Sequence, residues 1–165
     1  EVQVRACINT ATCMVGFIGS DVQMNFTCLG DGVNLASRLE GANKNYGTLN
    51  MVAESVKQRL DPEVFSTRFL DYLAVKGKDQ PIKVYELRGL QKNETKNWQE
   101  ASPLYHSGVE LYLQRNFNAA IQEFAKVLQL VPADEPTTIF IERCQHFLIE
   151  PPPENWDGRF ILKTK

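Results

Sequence analysis

Asn34 and Arg38 are the residues of this chain whose types and spacing best suit chemistry on a phosphate ester. They lie four apart in a stretch that reads as helix, so their side chains neighbour each other on one face. An amide can orient a sugar hydroxyl. A guanidinium spreads a permanent charge over a planar fork that matches the oxygens of a phosphoryl group in transfer. Taken alone, Asn-x-x-x-Arg is an ordinary solvated pattern; its setting lifts it above that. The run Phe26-Thr-Cys-Leu-Gly-Asp-Gly-Val-Asn-Leu-Ala-Ser-Arg-Leu-Glu-Gly-Ala-Asn-Lys-Asn-Tyr-Gly47 reads as a strand, a glycine-marked turn at Gly30-Asp31-Gly32, and a helix from near Val33. Val33, Ala36 and Leu39 form the apolar stripe expected opposite the pair. Asp31 is expected to serve turn and helix-capping chemistry.

The elements that must position this helix can be read on either side of it. Val2, Val4, Ala6 and Ile8 alternate with polar neighbours as in a half-buried strand, and Met24, Phe26 and Cys28 do the same. Asn50 to Val52 reads as a short strand, followed by a helix over Ala53 to Leu60. Phe65–Val75 and Ile82–Leu87 read as a hairpin closed by the turn-rich Lys76-Gly-Lys-Asp-Gln-Pro81. The polar stretch 91–100 is expected to be a linker or helix lead-in. Beyond it the period becomes helical: Leu104, Tyr105, Gly108, Leu111 and Tyr112, then Phe117, Ala120, Ile121, Phe124 and Leu128 behind an Asn116 cap, then Phe140, Cys144, Phe147 and Leu148 behind an Asp134 cap. Pro151-Pro-Pro153 ends the helices, and Trp156-Asp-Gly158 opens an extended tail.

The composition excludes several classes. A net charge of −2 over 165 residues gives no basic excess for nucleic acid or anionic lipid. No apolar run approaches the ~20 residues needed to span a bilayer. The four cysteines (Cys7, Cys13, Cys28 and Cys144) form no C-x-x-C and are expected to be buried, reduced thiols. His106 and His146 are too far apart to suggest zinc.

Gly30 to Glu40 closely resembles the segment Gly-Asp-x-Val-Asn-x-Ala-x-Arg-Leu-Glu of the class III adenylate and guanylate cyclases. The resemblance runs in one unbroken order from about residue 2 to 88. Val4-Arg-Ala-Cys-Ile-Asn-Thr-Ala11 resembles the family's Arg-x-Gly-Ile-x-Thr-Gly strand, with Cys7 and Ala11 standing where the family has glycine. Val15-Gly-Phe-Ile-Gly-Ser20 resembles its Val-Gly-x-x-Gly-Ser. Leu73-Ala-Val-Lys-Gly-Lys78, with Pro81 and Val84-Tyr-Glu-Leu87, resembles its closing hairpin. The implied fold is α+β: the carboxyl-terminal half of a cyclase catalytic domain over 1–90, a mixed sheet with flanking helices. A linker at 91–100, tetratricopeptide-like helices at 101–150 and an extended tail at 151–165 would follow. Gly108, Ala120, Phe124 and Pro132 fall at the spacings of a tetratricopeptide unit, although Leu104 stands where that repeat has an aromatic. One such unit must pack on something else, because a single repeat cannot bury its own faces.

The resemblance implies that Asn34 orients the ribose and Arg38 stabilises the α-phosphate. Lys76, in preference to Lys78, would bind the terminal phosphates, and Thr27 would meet the purine and favour ATP. It implies two Mg2+ or Mn2+ ions held by aspartates lying upstream of this chain, so that no metal ligand is expected within it. It implies head-to-tail pairing with a second cyclase domain, each site drawing on both. Glu1 opens almost directly on a strand, so the expectation is a fragment of a longer, bacterial-type signalling protein. The fragment would be cytoplasmic, inactive alone, and part of a parent anchored in the membrane. A protein partner for the helical tail is possible on this reading, and nucleic acid is not expected. Two alternatives stand beside it: a non-catalytic dimerisation and interaction module, and a guanylate cyclase.

Overall fold

The computed structural model describes residues 3–73 and 81–159. The chain is α+β, with a partial mixed sheet and flanking helices followed by a helical tail. Strand β1 (Ala6–Ile8) runs parallel to β4 (Asn50–Ala53). β4 is antiparallel to β6 (Ile82–Leu90), which is antiparallel to β5 (Phe65–Leu73), giving the order β1-β4-β6-β5. β2 (Met14–Ser20) and β3 (Gln23–Leu29) form a separate antiparallel hairpin. The sequence pattern extends β1 back to Val2, but the paired strand is shorter, because only Ala6 to Ile8 meet β4.

Helix α1 (Asp31–Asn43) follows β3 and lies on the sheet. Its buried stripe is Leu35, Leu39 and Asn43, a strict four-residue step, rather than Val33, Ala36 and Leu39. Leu39 is shared, while Val33 and Ala36 are only half-buried. The step selects one side of the helix for the core that Leu35 and Leu39 share with Met51, Leu70 and Val84. A short 3-10 turn at Lys44–Tyr46 ends in Gly47, at φ 61°, a left-handed conformation that favours glycine. The expected helix after β4 is only the single turn α2 (Glu54–Lys57).

The stretch read as a linker or helix lead-in holds a 3-10 turn and the first residues of a helix. β6 runs to Leu90, a 3-10 turn spans Gln91–Asn93, and α3 (Lys96–Leu113) starts with the Thr95 hydroxyl accepting from the backbone N–H of Trp98 at 3.2 Å. Trp98 is buried. α4 (Phe117–Leu130) and α5 (Glu135–Ile149) begin at the caps read from the sequence: Asn116 accepts from Ala119 and Asp134 from Thr137. Val127 rather than Leu128 completes the buried face of α4. On α5, Arg143 is buried and Leu148 is 44% exposed. Gly108 of α3 lies against the Phe124 ring, where a Cβ would fall 2.6 Å from a ring carbon. Phe124 in turn stacks on Phe140 at 5.2 Å. The segment after α5 folds back, with Trp156 edge-on to Tyr112 and Phe147.

The tail covers β5, which is an edge strand of the sheet, and so shields its unpaired backbone. The Tyr105 phenol donates to the carbonyl of Phe69 at 2.8 Å. Arg68 of β5 donates from Nη1 to both carboxylate oxygens of Asp134 at 2.6 and 2.7 Å, and its Nε donates to Glu86 at 2.5 Å. Burial alone would lower the Arg68 pKa; the carboxylates of Glu86 and Asp134 reverse that and raise it. A register shift between Phe69 and Asp71 leaves Leu70 as an extra residue. Phe69 packs on the tail core, Leu70 in the sheet core, and Asp71 pairs with Arg143 of α5 at 2.7 Å. No described helix is long and apolar enough to cross a membrane.

Candidate functional site

The site is built around the N-terminal half of α1. Gly30 caps the helix at φ 148° and ψ 165°, and its carbonyl accepts from the N–H groups of Val33 and Asn34. Asp31 is the first helical residue, not the cap, and its side chain makes no capping bond. Its carboxylate still sits in the first turn, where the helix dipole favours negative charge. Asn9, in the loop after β1, donates to the carbonyl of Gly32 at 3.0 Å and accepts from Ser55 at 2.9 Å, joining the starts of α1 and α2. A cavity of about 430 Å³ opens there, lined by Asn9, Thr12, Asp31, Glu54 and Ser55 among others.

Asn34 and Arg38 stand one turn apart on α1 and both are exposed, while Leu35 and Leu39 beside them are buried. The helix is therefore anchored by one face and offers the amide and the guanidinium together on another. Neither side chain makes a hydrogen bond or ion pair among the described residues, so both are available to a ligand. Thr27 is exposed on β3, opposite Gly16 of β2. Lys76, Lys78 and the hairpin turn around them lie outside the described residues.

Among the described residues no three His, Cys, Asp or Glu side chains gather as metal ligands. The resemblance assigns the carboxylates of its two-metal site to a segment outside these residues. The cysteines correct the sequence reading. Cys144 is buried, Cys7 is half-buried, and Cys13, just before β2, and Cys28, on β3, are exposed. Burial pushes the Cys144 thiol up to about 12; burial, then Glu40, pushes Cys7 up to about 11.

The sequence reading also missed Asn9, Asn43, Tyr46 and Asp71. Asn43 donates to the carbonyls of Ala6 and Leu49 at 3.0 and 2.9 Å, pinning the end of α1 to β1 and to the loop before β4. The four-residue step from Leu35 through Leu39 was the available signal for it.

Residues 1–89 match the family model described as the adenylate and guanylate cyclase catalytic domain. The chain belongs to that family. It is 31% identical over 147 residues to a terminal-differentiation-specific adenylate cyclase of Dictyostelium discoideum, covering 87% of this chain and 7% of that protein. It is 40% identical over 90 residues to an adenylate cyclase of Anabaena cylindrica, covering 53% of this chain and 18% of that one. Adenylate cyclase 1 of Rhizobium meliloti is 36% identical over 90 residues, with 54% and 13% covered. The chain thus spans less than a fifth of these relatives. Among solved structures, the adenylyl cyclase CyaB of P. aeruginosa is 29% identical with a TM-score of 0.41, covering 50% of this chain and 41% of that one.

Proposed function

We propose that residues 1–90 are the transition-state half of an adenylate cyclase site, which converts ATP to cyclic AMP and pyrophosphate. In that reaction the ribose 3′-oxygen loses its proton and bonds to the α-phosphorus, and the bond to the pyrophosphate oxygen breaks. Charge grows on the α-phosphoryl oxygens and on the leaving group, and a preorganised cation aimed at either stabilises the transition state. Arg38 takes the α-phosphoryl oxygens. Asn34, one turn before it, holds the ribose so that the 3′-oxygen is in line. Lys76 takes the terminal phosphates, and the Thr27 hydroxyl meets the purine.

The single observation that carries this reading is the pairing of Asn34 and Arg38, exposed together on a helix whose neighbouring residues anchor it. The three relatives are adenylate cyclases, which favours ATP as the nucleotide. The remaining parts would come from a second cyclase domain carrying the carboxylates that bind two Mg2+ or Mn2+ ions; bound, these would withdraw charge from the phosphates. The β2–β3 hairpin favours such a pairing. Met14, Phe17, Met24 and Phe26 on it are 60–71% exposed, an apolar surface unlike that of a solitary domain. The helices after residue 95 are read as a tetratricopeptide-like unit given over to docking on the sheet.

Arg38→Ala in the full-length protein tests the proposal. Turnover is expected to fall by ~10²-fold or more, with the ATP KM changed far less, as when one preorganised donor is removed. Wild-type turnover by a correctly folded variant would return Arg38 to a solvated helix residue and favour a non-catalytic interaction module.

A further inference from the structure

The catalytic helix ends against the tail. Three residues past Asn43, the Tyr46 phenol donates to Oδ2 of Asp71 at 2.6 Å. Arg143 of α5 donates its Nη2 to the same oxygen at 2.7 Å. The other oxygen, Oδ1, accepts from the Tyr72 N–H at 2.7 Å. Tyr46, Asp71 and Arg143 are 5%, 3% and 7% exposed, so this is a buried network whose members depend on one another, at the edge of an open cavity of about 470 Å³. Glu135, at the start of the same tail helix, lies directly over Gly47, where a Cβ would meet its carboxylate. The far end of α1 is thus fixed twice: by Asn43 from within the sheet domain, and by Tyr46 through a carboxylate that the tail holds in place.

We propose that Arg143 is a positioning residue for the helix bearing Asn34 and Arg38, acting through Asp71 on the phenol of Tyr46. This rests on the reading of α1 as the catalytic helix. Arg38 and Tyr46 are eight residues apart, roughly 12 Å along the axis, so a tilt of about 5° at the Tyr46 end moves Arg38 by roughly 1 Å. A displacement of about 1 Å can cost about 100-fold in rate. Removing Arg143 leaves the Asp71 carboxylate buried without its cation; it then recruits water, and the turn that carries Tyr46 loosens. The tail is in this way part of the catalytic geometry although it contacts no substrate.

The test uses the full-length protein with Arg143→Met, Arg143→Lys and Tyr46→Phe, the last keeping the Arg143–Asp71 pair and deleting only the phenol hydroxyl. Two readouts are taken on each: amide hydrogen exchange and the split between kcat and ATP KM. Arg143→Met is expected to speed exchange across residues 39–48 by about tenfold or more while α3 and α4 stay protected, and to lower kcat by about tenfold or more with little change in KM. Arg143→Lys should recover part of both losses, and Tyr46→Phe should reproduce both in milder form. If Arg143→Met unfolds the tail, Tyr46→Phe alone decides. Unchanged exchange at residues 39–48, or unchanged kcat while Arg38→Ala is impaired, overturns the proposal. If Arg38→Ala is itself unimpaired, the assignment of α1 fails instead, and the exchange data still judge the clamp.

Discussion

At the scale of single residues, Gly32 and Ala11 form a matched pair. The resemblance places a glycine where Ala11 stands. In the structure a Cβ on Gly32 would fall 2.3 Å from the Ala11 methyl, so the side chain gained at one position fills the space left at the other. Gly32→Ala should therefore lower stability by ~1–3 kcal/mol, the usual cost of overpacking. Adding Ala11→Gly should restore most of it, and urea titrations of the two variants check this; additive losses would contradict the pairing. The thiols give a second test. A raised pKa leaves less of the reactive thiolate, so at pH 8 Cys144 and Cys7 should alkylate far more slowly than the exposed Cys13 and Cys28. Peptide mass mapping after timed iodoacetamide treatment reads the order directly. The sequence reading, which buried all four, had no means of seeing that the hairpin, which carries Cys28 and follows directly on Cys13, finds no cover within the described residues.

At the scale of elements, the helices were legible because each carries its own signals. The Asn116 and Asp134 caps and the 3.6-residue stripes need no knowledge of the rest of the chain. What decides how the elements dock was not legible. The Arg68–Asp134 and Arg143–Asp71 pairs join residues 66 and 72 apart, and pairing of charges over such distances leaves no local pattern. The extra residue at Leu70, which lets neighbouring β5 positions serve different cores, likewise has no signature in a strand that otherwise alternates. Phe124 is a point where sequence and structure agree: fully buried, it packs between Gly108, Tyr105 and Phe140. Phe124→Ala should cost ~3–5 kcal/mol. Hydrogen exchange should then show α3, α4 and α5 losing protection first. Because Arg68 and Asp71 face the tail, the outer strand β5 should loosen with them while β1 and β4 hold. Full protection across 101–148 would contradict this packing.

At the scale of the whole molecule, the two halves are one assembly rather than a domain with a loose appendage. A misdocked tail would strand Arg68 or Asp71 as a buried charge without its partner, which is strongly destabilising. The similarity to the Dictyostelium relative, which runs over 147 residues and so past the cyclase segment, accords with sheet and tail travelling together. The sequence singles out Asn34 and Arg38, which the structure leaves exposed one turn apart on α1, but it gives no sign of the groups that hold this helix, because positioning depends on contacts and not on motif. The central claim is that α1 serves a site shared with a second cyclase domain. Its most direct test is a purified full-length heterodimer pairing an Arg38→Ala subunit with one whose metal-binding carboxylates are substituted. Each variant alone should be nearly inactive. A shared site leaves one of the two symmetric sites intact, so the heterodimer should regain roughly half of wild-type turnover. Turnover no higher than that of the two single-variant homodimers would contradict the account.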